Sequence, residues 1–389
     1  YQAGYGSAGA TTGESNTVVG SNSSTYSNAA GQSLTSGYAN SFFGGGAGYA
    51  TTTGNNNAFF GLNAAQGNTT GNYNTALGAS ALSSNTTASN NTAVGYQSLY
   101  SNTTGAYNTA LGYLAGKTIS TSGGQTAIGA NSLQNATGAD NTAVGYFALY
   151  TNTTGVRNTA VGGGIQGSNE GALGLNTTGS YNTALGNLAL YNNTTASDGT
   201  AVGYRALYSN TTGAENTAMG FDAMFYNTTG NYNVAMGLYA LRNNTTASNN
   251  TAIGYQAGYT NQTGNQSTFI GYQAGYSSNY NGYAYNTCVG HQTGYSLTTG
   301  IHNTFIGGAN NSAGYYVTTG SKNTILGGYN GNQGGLDIRT ASNYIVLSDG
   351  DGNPRLYWDN SASEWYDVYG KIRAIPQNAC LLYTSDAAD

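Results

Sequence analysis

Asn91-Thr92-Ala93-Val94-Gly95 is followed 17 residues later by Asn108-Thr109-Ala110-Leu111-Gly112. Asn-Thr-Thr-Gly lies between the two copies, at Asn102–Gly105, and an Ala-Leu-Tyr element such as Ala148-Leu149-Tyr150 holds a constant phase. The closing glycine of the first motif recurs at Gly20, Gly44, Gly61, Gly78, Gly95, Gly112, Gly129, Gly145, Gly162, Gly174, Gly186, Gly203, Gly220, Gly237, Gly254, Gly271, Gly290, Gly307 and Gly327. Twelve of the intervals are 17 residues; the others are 24, 16, 12, 12, 19 and 20. A helical-hairpin repeat needs more than about 30 residues, and no 3.6-residue period runs through the chain. Seventeen suits one coil of an all-β solenoid or β-roll, with two short strands and two turns. The first strand is expected on Asn-Thr-Ala-Val-Gly-Tyr, the second on Ala-Leu-Tyr, and a turn on Asn-Thr-Thr-Gly. Nineteen coils stacked at the inter-strand distance would make a rod roughly 90 Å long.

Alternation along the first strand separates two columns. Thr92 and Val94 share one face; Asn91, Ala93 and Gly95 share the other. The bulky column, Val19, Phe43, Phe60, Leu77, Val94, Leu111 and Ile128 onward to Leu326, is expected to fill the coil interior. The Ala column then lies outside it, to be covered by a neighbouring subunit, since a strand apolar on both faces is covered on both. Phe269, Phe305 and Ile325 in that column would mark a widening of the shared axis.

Composition agrees with strands and tight turns. Of 389 residues 61 are Gly, 35 Tyr and 2 Pro, and only 9 are Lys or Arg against 14 Asp or Glu. Gly, Asn, Thr and Ser are weak helix formers, and Gly and Asn supply positive φ in turns. A net charge of −5 lacks the basic stripe that nucleic acid requires. No apolar run approaches the ~20 residues of a membrane helix.

Residues 1–335 read as the repetitive shaft. Residues 336–379 hold ten of the 23 charges and read as a β-hairpin cap or the start of a further domain, with the turn on Asp349-Gly350-Asp351-Gly352-Asn353. Residues 380–389, CLLYTSDAAD, back-translate to a transposase-type sequencing adapter and read as an artefact. The natural chain is expected to continue past Ala379, and to begin upstream of Tyr1, which no Met or signal peptide precedes. Without Cys380, Cys288 has no intrachain partner and reads as a small buried hydrophobe.

The Asn-Thr-Ala-Val-Gly period resembles the Asn-Ser-x-Ala-Ile-Gly repeats of trimeric autotransporter adhesin heads, although the repeat length differs. The Asn-Thr-Thr-Gly turns, together with Ile345–Trp358 and Gly370–Asn378, look more like phage tail-fibre and tail-spike shafts from environmental viruses. The resemblance implies a homotrimeric, extracellular attachment fibre on a virion, or else a bacterial surface adhesin. In either case the chain would be non-catalytic and cofactor-free, with self as partner and a cell-surface glycan or receptor as target.

The chemistry-bearing residues favour no enzyme. His291 and His302 sit in or beside repeat turns, and no Cys/His/carboxylate cluster has metal-ligand spacing. Glu14, Asp140, Glu170, Asp198, Glu215 and Asp222 are scattered, which leaves paired acid–base work unsupported. Asp349–Asn353 lacks the closing glutamate of a calcium loop and reads as a turn. The Asn-Thr-Thr triplets are formal glycosylation acceptors, and read as turns with stacked, hydrogen-bonded side chains. Tyrosines such as Tyr96, Tyr146, Tyr204 and Tyr255 either stack on receptor sugars or shield the coil ends. The 12-residue coils ending at Gly174 and Gly186 mark either an irregular site of the kind where specificity would sit or a plain deletion. A further reading, from another class, is an ice- or surface-binding solenoid built on the Thr92–Thr109–Thr126–Thr142 column. Against it stands the expectation that this column shares a face with a buried Val column.

Overall fold

In the computed structural model the described residues are 13–20, 28–164, 170–308, 312–367 and 370–371, and their regular structure is all β, with no helix. They form two compact units, Tyr1–Asn231 and Tyr232–Asp389. The first unit holds twelve three-residue strands of the repeat, from Thr17–Val19 to Thr217–Met219. The second holds six, from Val234–Met236 to Thr324–Leu326. Within each unit successive strands pair in parallel and in register, as in Thr75↔Thr92↔Thr109, Ala76↔Ala93↔Ala110 and Leu77↔Val94↔Leu111. Each unit is therefore a β-solenoid of roughly 17-residue coils.

The interior is the reverse of the expected one. The Ala column is fully buried from Ala76 and Ala93 through Ala143 to Ala252. The Val/Leu/Ile/Met column points outward, with Leu77 50% and Leu111 47% exposed. The reason is width. A 17-residue coil brings its walls so close that the strand can place only a methyl group inside, while the opposite wall contributes the bulk, Leu82, Leu99, Leu133 and Leu149. Each such leucine contributes roughly 1.5–3 kcal/mol by leaving water.

Where the Ala column enlarges, the opposite column shrinks. Phe269 and Phe305 are fully buried, so they mark no widening of an external axis. Glycines replace the facing leucines: a Cβ on Gly275 would lie 2.1 Å from the Phe269 ring, and one on Gly314 2.6 Å from that of Phe305. The interior volume is thus kept roughly constant, as close packing requires.

The opposite wall is not a strand. Gln97 and Leu99 take φ of 51° and 48°, alternating with neighbours that do not have positive φ. The Gln97 N–H bonds back to the Ala79 carbonyl (3.0 Å) and the Leu99 N–H forward to that of Ala115 (3.0 Å). The wall is still a parallel ladder between coils, but left-handed residues at alternate positions turn the leucines inward. That conformation costs about 1–2 kcal/mol for a non-glycine residue, and burial of the leucine offsets it. At the strand's end Gly95 has φ of 129°, and a Cβ there would meet the Gly112 carbonyl oxygen at 2.4 Å.

Gly174 closes no coil. Strand Thr159–Val161 pairs directly with Thr183–Leu185, so the two 12-residue intervals are one 24-residue coil. Leu173 takes the ordinary place of a buried leucine, and the Ala172 N–H closes the surplus segment on the Gly162 carbonyl (3.1 Å).

After the last repeat strand, Ile345–Ser348 pairs in parallel with Thr324–Leu326 and antiparallel with Pro354–Asp359. Glu364–Asp367 continues the antiparallel run. The decapeptide 380–389 and the stretch 372–378 lie outside the described residues.

Candidate functional site

Strand alternation places Thr and an aliphatic residue on the outward face of most coils; Ser41 with Phe43, Ala58 with Phe60 and Val234 with Met236 are the departures. In the first unit Thr75, Thr92 and Thr109 are exposed beside Leu77, Val94 and Leu111, and Leu185 (47%) and Met219 continue the aliphatic column. No charged residue stands in either column. Columns of this kind, uncharged and repeated every ~4.8 Å, form an apolar stripe longer than the patches that soluble monomers usually expose. This face is the surface that reading the Val column as interior missed.

Two asparagine ladders run through the coils. Asn91 and its equivalents precede the strand and share the Ala face. The Asn91 Oδ1 accepts the Asn108 N–H (2.9 Å), and Asn108 Nδ2 donates to the Ser122 carbonyl (3.0 Å), bracing one coil against the next. The second ladder is the Asn of Asn-Thr-Thr. Asn102 Nδ2 donates to Asn85 Oδ1 (3.1 Å) and to the Gly105 carbonyl (2.9 Å). Asn68, Asn85, Asn102, Asn152, Asn176, Asn193, Asn210, Asn227 and Asn244 are all buried. Their amides are structural, and a glycan could reach them only by opening the coil. The ladder breaks where Ile119 follows Asn102; Asn102 Oδ1 is left buried without a hydrogen bond.

Several of the charged residues form local pairs. Arg205 and Asp222 sit one coil apart and form two bonds, Nε–Oδ1 2.9 Å and Nη2–Oδ2 2.8 Å, with Asp222 almost fully buried. The guanidinium lies 4.9 Å from the Tyr204 ring centroid and 4.8 Å from that of Phe225. This staple was legible in the sequence as two opposite charges 17 residues apart. Asp140 pairs loosely with Arg157 at 3.8 Å. His291 stacks on Tyr272 (5.0 Å, 8°) and His302 lies tilted against Tyr285 (5.0 Å, 33°). Among the described residues no group of three or more His, Cys, Asp or Glu could hold a metal ion. Cys288 is fully buried in the Ala column, and burial pushes its thiol up to about 12. No helix among the described residues is long and apolar enough to cross a membrane.

Asp349 organises a turn. Its Oδ1 accepts the N–H groups of Asn353 (2.9 Å) and Asp351 (3.1 Å), and Arg355 pairs with Oδ2. The Asn353 backbone bond first, and Arg355 with it, bring its carboxyl down to about 2. A depressed carboxylate stabilises above its unfolded pKa of ~3.9; the tie is kept at neutral pH and lost as pH falls through about 2. Asp349→Ala is expected to speed amide exchange at Asp351 and Asn353 and to leave the repeat strands unchanged. Equal acceleration in the Thr304–Ile306 strand would refute a local role.

Aromatic rings form ladders along the coils. Tyr191–Tyr208–Phe225 stack at 5.6 and 5.1 Å, and Tyr255–Tyr272–His291 at 5.2 and 5.0 Å. The faces between neighbouring rings cover one another, so those rings present edges and hydroxyls, not stacking platforms for sugars.

A tandem parallel ladder with a mixed Ala, Leu and Asn interior defines the class: a repetitive β-solenoid. Comparison with known proteins finds no matching family model, no similar curated protein and no similar solved structure.

Proposed function

We propose that the chain is the non-catalytic, extracellular shaft of a host-recognition fibre, assembled as a homotrimer and carried on a phage tail. The observation that supports this reading is the outward Thr/aliphatic face. A stripe repeated on every coil matches an identical stripe on another copy, and cyclic symmetry closes such contacts without a sticky edge. Eleven coil steps of about 4.8 Å in the first unit and a strand about 10 Å wide offer on the order of 500 Å² per copy. That approaches the ~800 Å² per partner of a standard interface from one unit alone. Three copies, rather than two, is what the resemblance to trimeric fibres and adhesin heads implies. The bacterial surface adhesin head remains the alternative of the same class. The receptor, a cell-surface glycan or protein, would be engaged away from the regular face; nucleic acid and membrane lipid are not expected partners.

Light scattering on the full chain tests the assembly. The expected mass is three times 39.7 kDa, and Leu77→Glu with Leu111→Glu should reduce it to one chain while the circular dichroism of the coils persists. A folded wild-type monomer would sink the reading, and a dimer would keep the covered face but reject the trimer.

An ice- or surface-binding role gains from the same observation. The objection to it was that the Thr column faced inward, and Thr75, Thr92 and Thr109 are exposed. The full chain in a thermal hysteresis assay separates the two: clear ice-growth inhibition by an unassembled chain favours this second reading.

A further inference from the structure

On the opposite wall, the residue after each inward leucine or glycine forms a second outward column, and in the second unit four successive coils place a tyrosine there. Tyr259, Tyr276, Tyr295 and Tyr315 stack with ring centroids 5.1, 4.9 and 5.0 Å apart and interplanar angles of 3°, 9° and 7°. All four rings are partly exposed. Their spacing is set by the parallel backbone ladder, as in the Gly275 N–H bond to the Thr293 carbonyl (2.8 Å) and the Gly294 N–H bond to that of Ala313 (2.9 Å). The rings are therefore held next to one another whatever their individual rotamer preferences. Other phenol stacks are shorter: Tyr191–Tyr208 runs into Phe225, and Tyr255–Tyr272 into His291.

We propose that the Tyr259–Tyr276–Tyr295–Tyr315 ladder is an oxidative cross-linking site, where a haem peroxidase with hydrogen peroxide joins tyrosines of adjacent coils as dityrosine. This goes beyond the fibre reading and does not depend on it. Each of two neighbouring phenols loses one electron and its hydroxyl proton to the peroxidase. The radicals carry spin at the ring carbons ortho to oxygen, Cε1 and Cε2. A Cε–Cε bond forms between the two rings, and the hydrogens on those carbons return to the phenol oxygens. The chain loses two hydrogens per link, and one peroxide becomes two waters. Stacking favours this coupling over encounters between distant tyrosines, because two groups held in contact react at a high effective concentration. Tyr276 and Tyr315 remain neutral phenols well above neutral pH, since burial, and then the adjoining phenols, disfavour the phenolate. The product staples coils 17, 19 or 20 residues apart in sequence, and so restricts the unfolded chain as a short disulfide loop does.

The test treats the dilute full chain with a haem peroxidase and limiting hydrogen peroxide, followed by a denaturing gel and peptide mapping. The expected product migrates as a single chain. Its cross-linked peptides join Tyr259 to Tyr276, Tyr276 to Tyr295 or Tyr295 to Tyr315, each two hydrogens lighter than its parents, and these make up most of the dityrosine. Its Tm rises by about 5 °C. Tyr276→Phe combined with Tyr315→Phe leaves no two adjacent phenols in the ladder. In the first unit Phe225 holds the equivalent repeat position and stacks near-parallel on Tyr208, so the variant should fold normally. It should lose the ladder peptides, at least half of the total dityrosine and the gain in Tm. Dityrosine scattered over the chain, links found only between chains, or an unchanged yield in the double variant would overturn the proposal.

Discussion

Ala143→Arg is expected to abolish folding of the first unit, whereas Val144→Asp, one residue on, should leave the protomer folded. Ala143 is fully buried in register with Ala127 and Ala160. Around it the coil interior consists of Ala148, Leu149 and Asn152, also fully buried. A guanidinium placed there has neither volume nor a carboxylate partner, and an unpaired buried charge is among the costliest substitutions known. The loss should exceed about 4 kcal/mol, seen as missing circular dichroism and insoluble protein. Val144 is only partly buried, on the outward face. An aspartate there remains hydrated, and the protomer's stability should change by less than about 1 kcal/mol. On the proposed assembly, what Val144→Asp should lose is association. The pair thus separates interior from interface: soluble, folded Ala143→Arg protein would contradict the interior described above.

The solenoid itself was legible because its period is imposed by the backbone. Every coil needs a residue without a Cβ where Gly95 meets the Gly112 carbonyl, and nearly every coil places an amide where Asn91 receives the Asn108 N–H, Gly199 and Ser267 being the exceptions. Those demands print Gly and Asn every 17 residues, whatever else varies. The polarity of the strand was not legible from alternation, since both of its faces are apolar. Size held the missing information. In so thin a coil the small column belongs inside, and the pairing of Phe269 with Gly275 and of Phe305 with Gly314 would have revealed which columns share the interior. Asn91, expected on the strand and on the same face as Ala93, was a second clue, because an amide column that bonds from coil to coil fits the interior. The Ala-Leu-Tyr wall was misread for a different reason: strand propensity says nothing about Leu99 adopting a left-handed φ, which only inward packing of its side chain supports. Gly174 was counted as a repeat on Leu-Gly alone, without the Asn-Thr that carries the hydrogen bonds.

Asn158→Leu is the most demanding test of the ladder, because the side chain changes polarity at nearly constant volume. Asn158 is fully buried. Its Nδ2 donates to the Gly179 carbonyl (2.9 Å) and to Asn141 Oδ1 (3.2 Å), and its Oδ1 accepts the Asn182 N–H (3.0 Å) and Asn182 Nδ2 (3.2 Å). Leucine removes all four bonds and leaves the buried Gly179 carbonyl and Asn182 N–H with one partner fewer. Orphaned buried groups cost about 1–3 kcal/mol each, so a loss of roughly 3–5 kcal/mol is expected, despite the added apolar area. Amide exchange should accelerate first at Asn182, on the far side of the 24-residue coil. Asn158→Asp sharpens the argument, since it keeps the shape but has no donor when ionised. Its carboxylate would face the Gly179 and Asn141 oxygens in a buried site, which raises its folded pKa above the unfolded value of ~3.9. The folded state then holds a proton that the unfolded state has released, so stability should fall as pH rises from that value toward neutrality. A thermal melt of Asn158→Asp that is independent of pH, or an Asn158→Leu variant as stable as the parent, would mean that the asparagine columns fill space without bracing the coils.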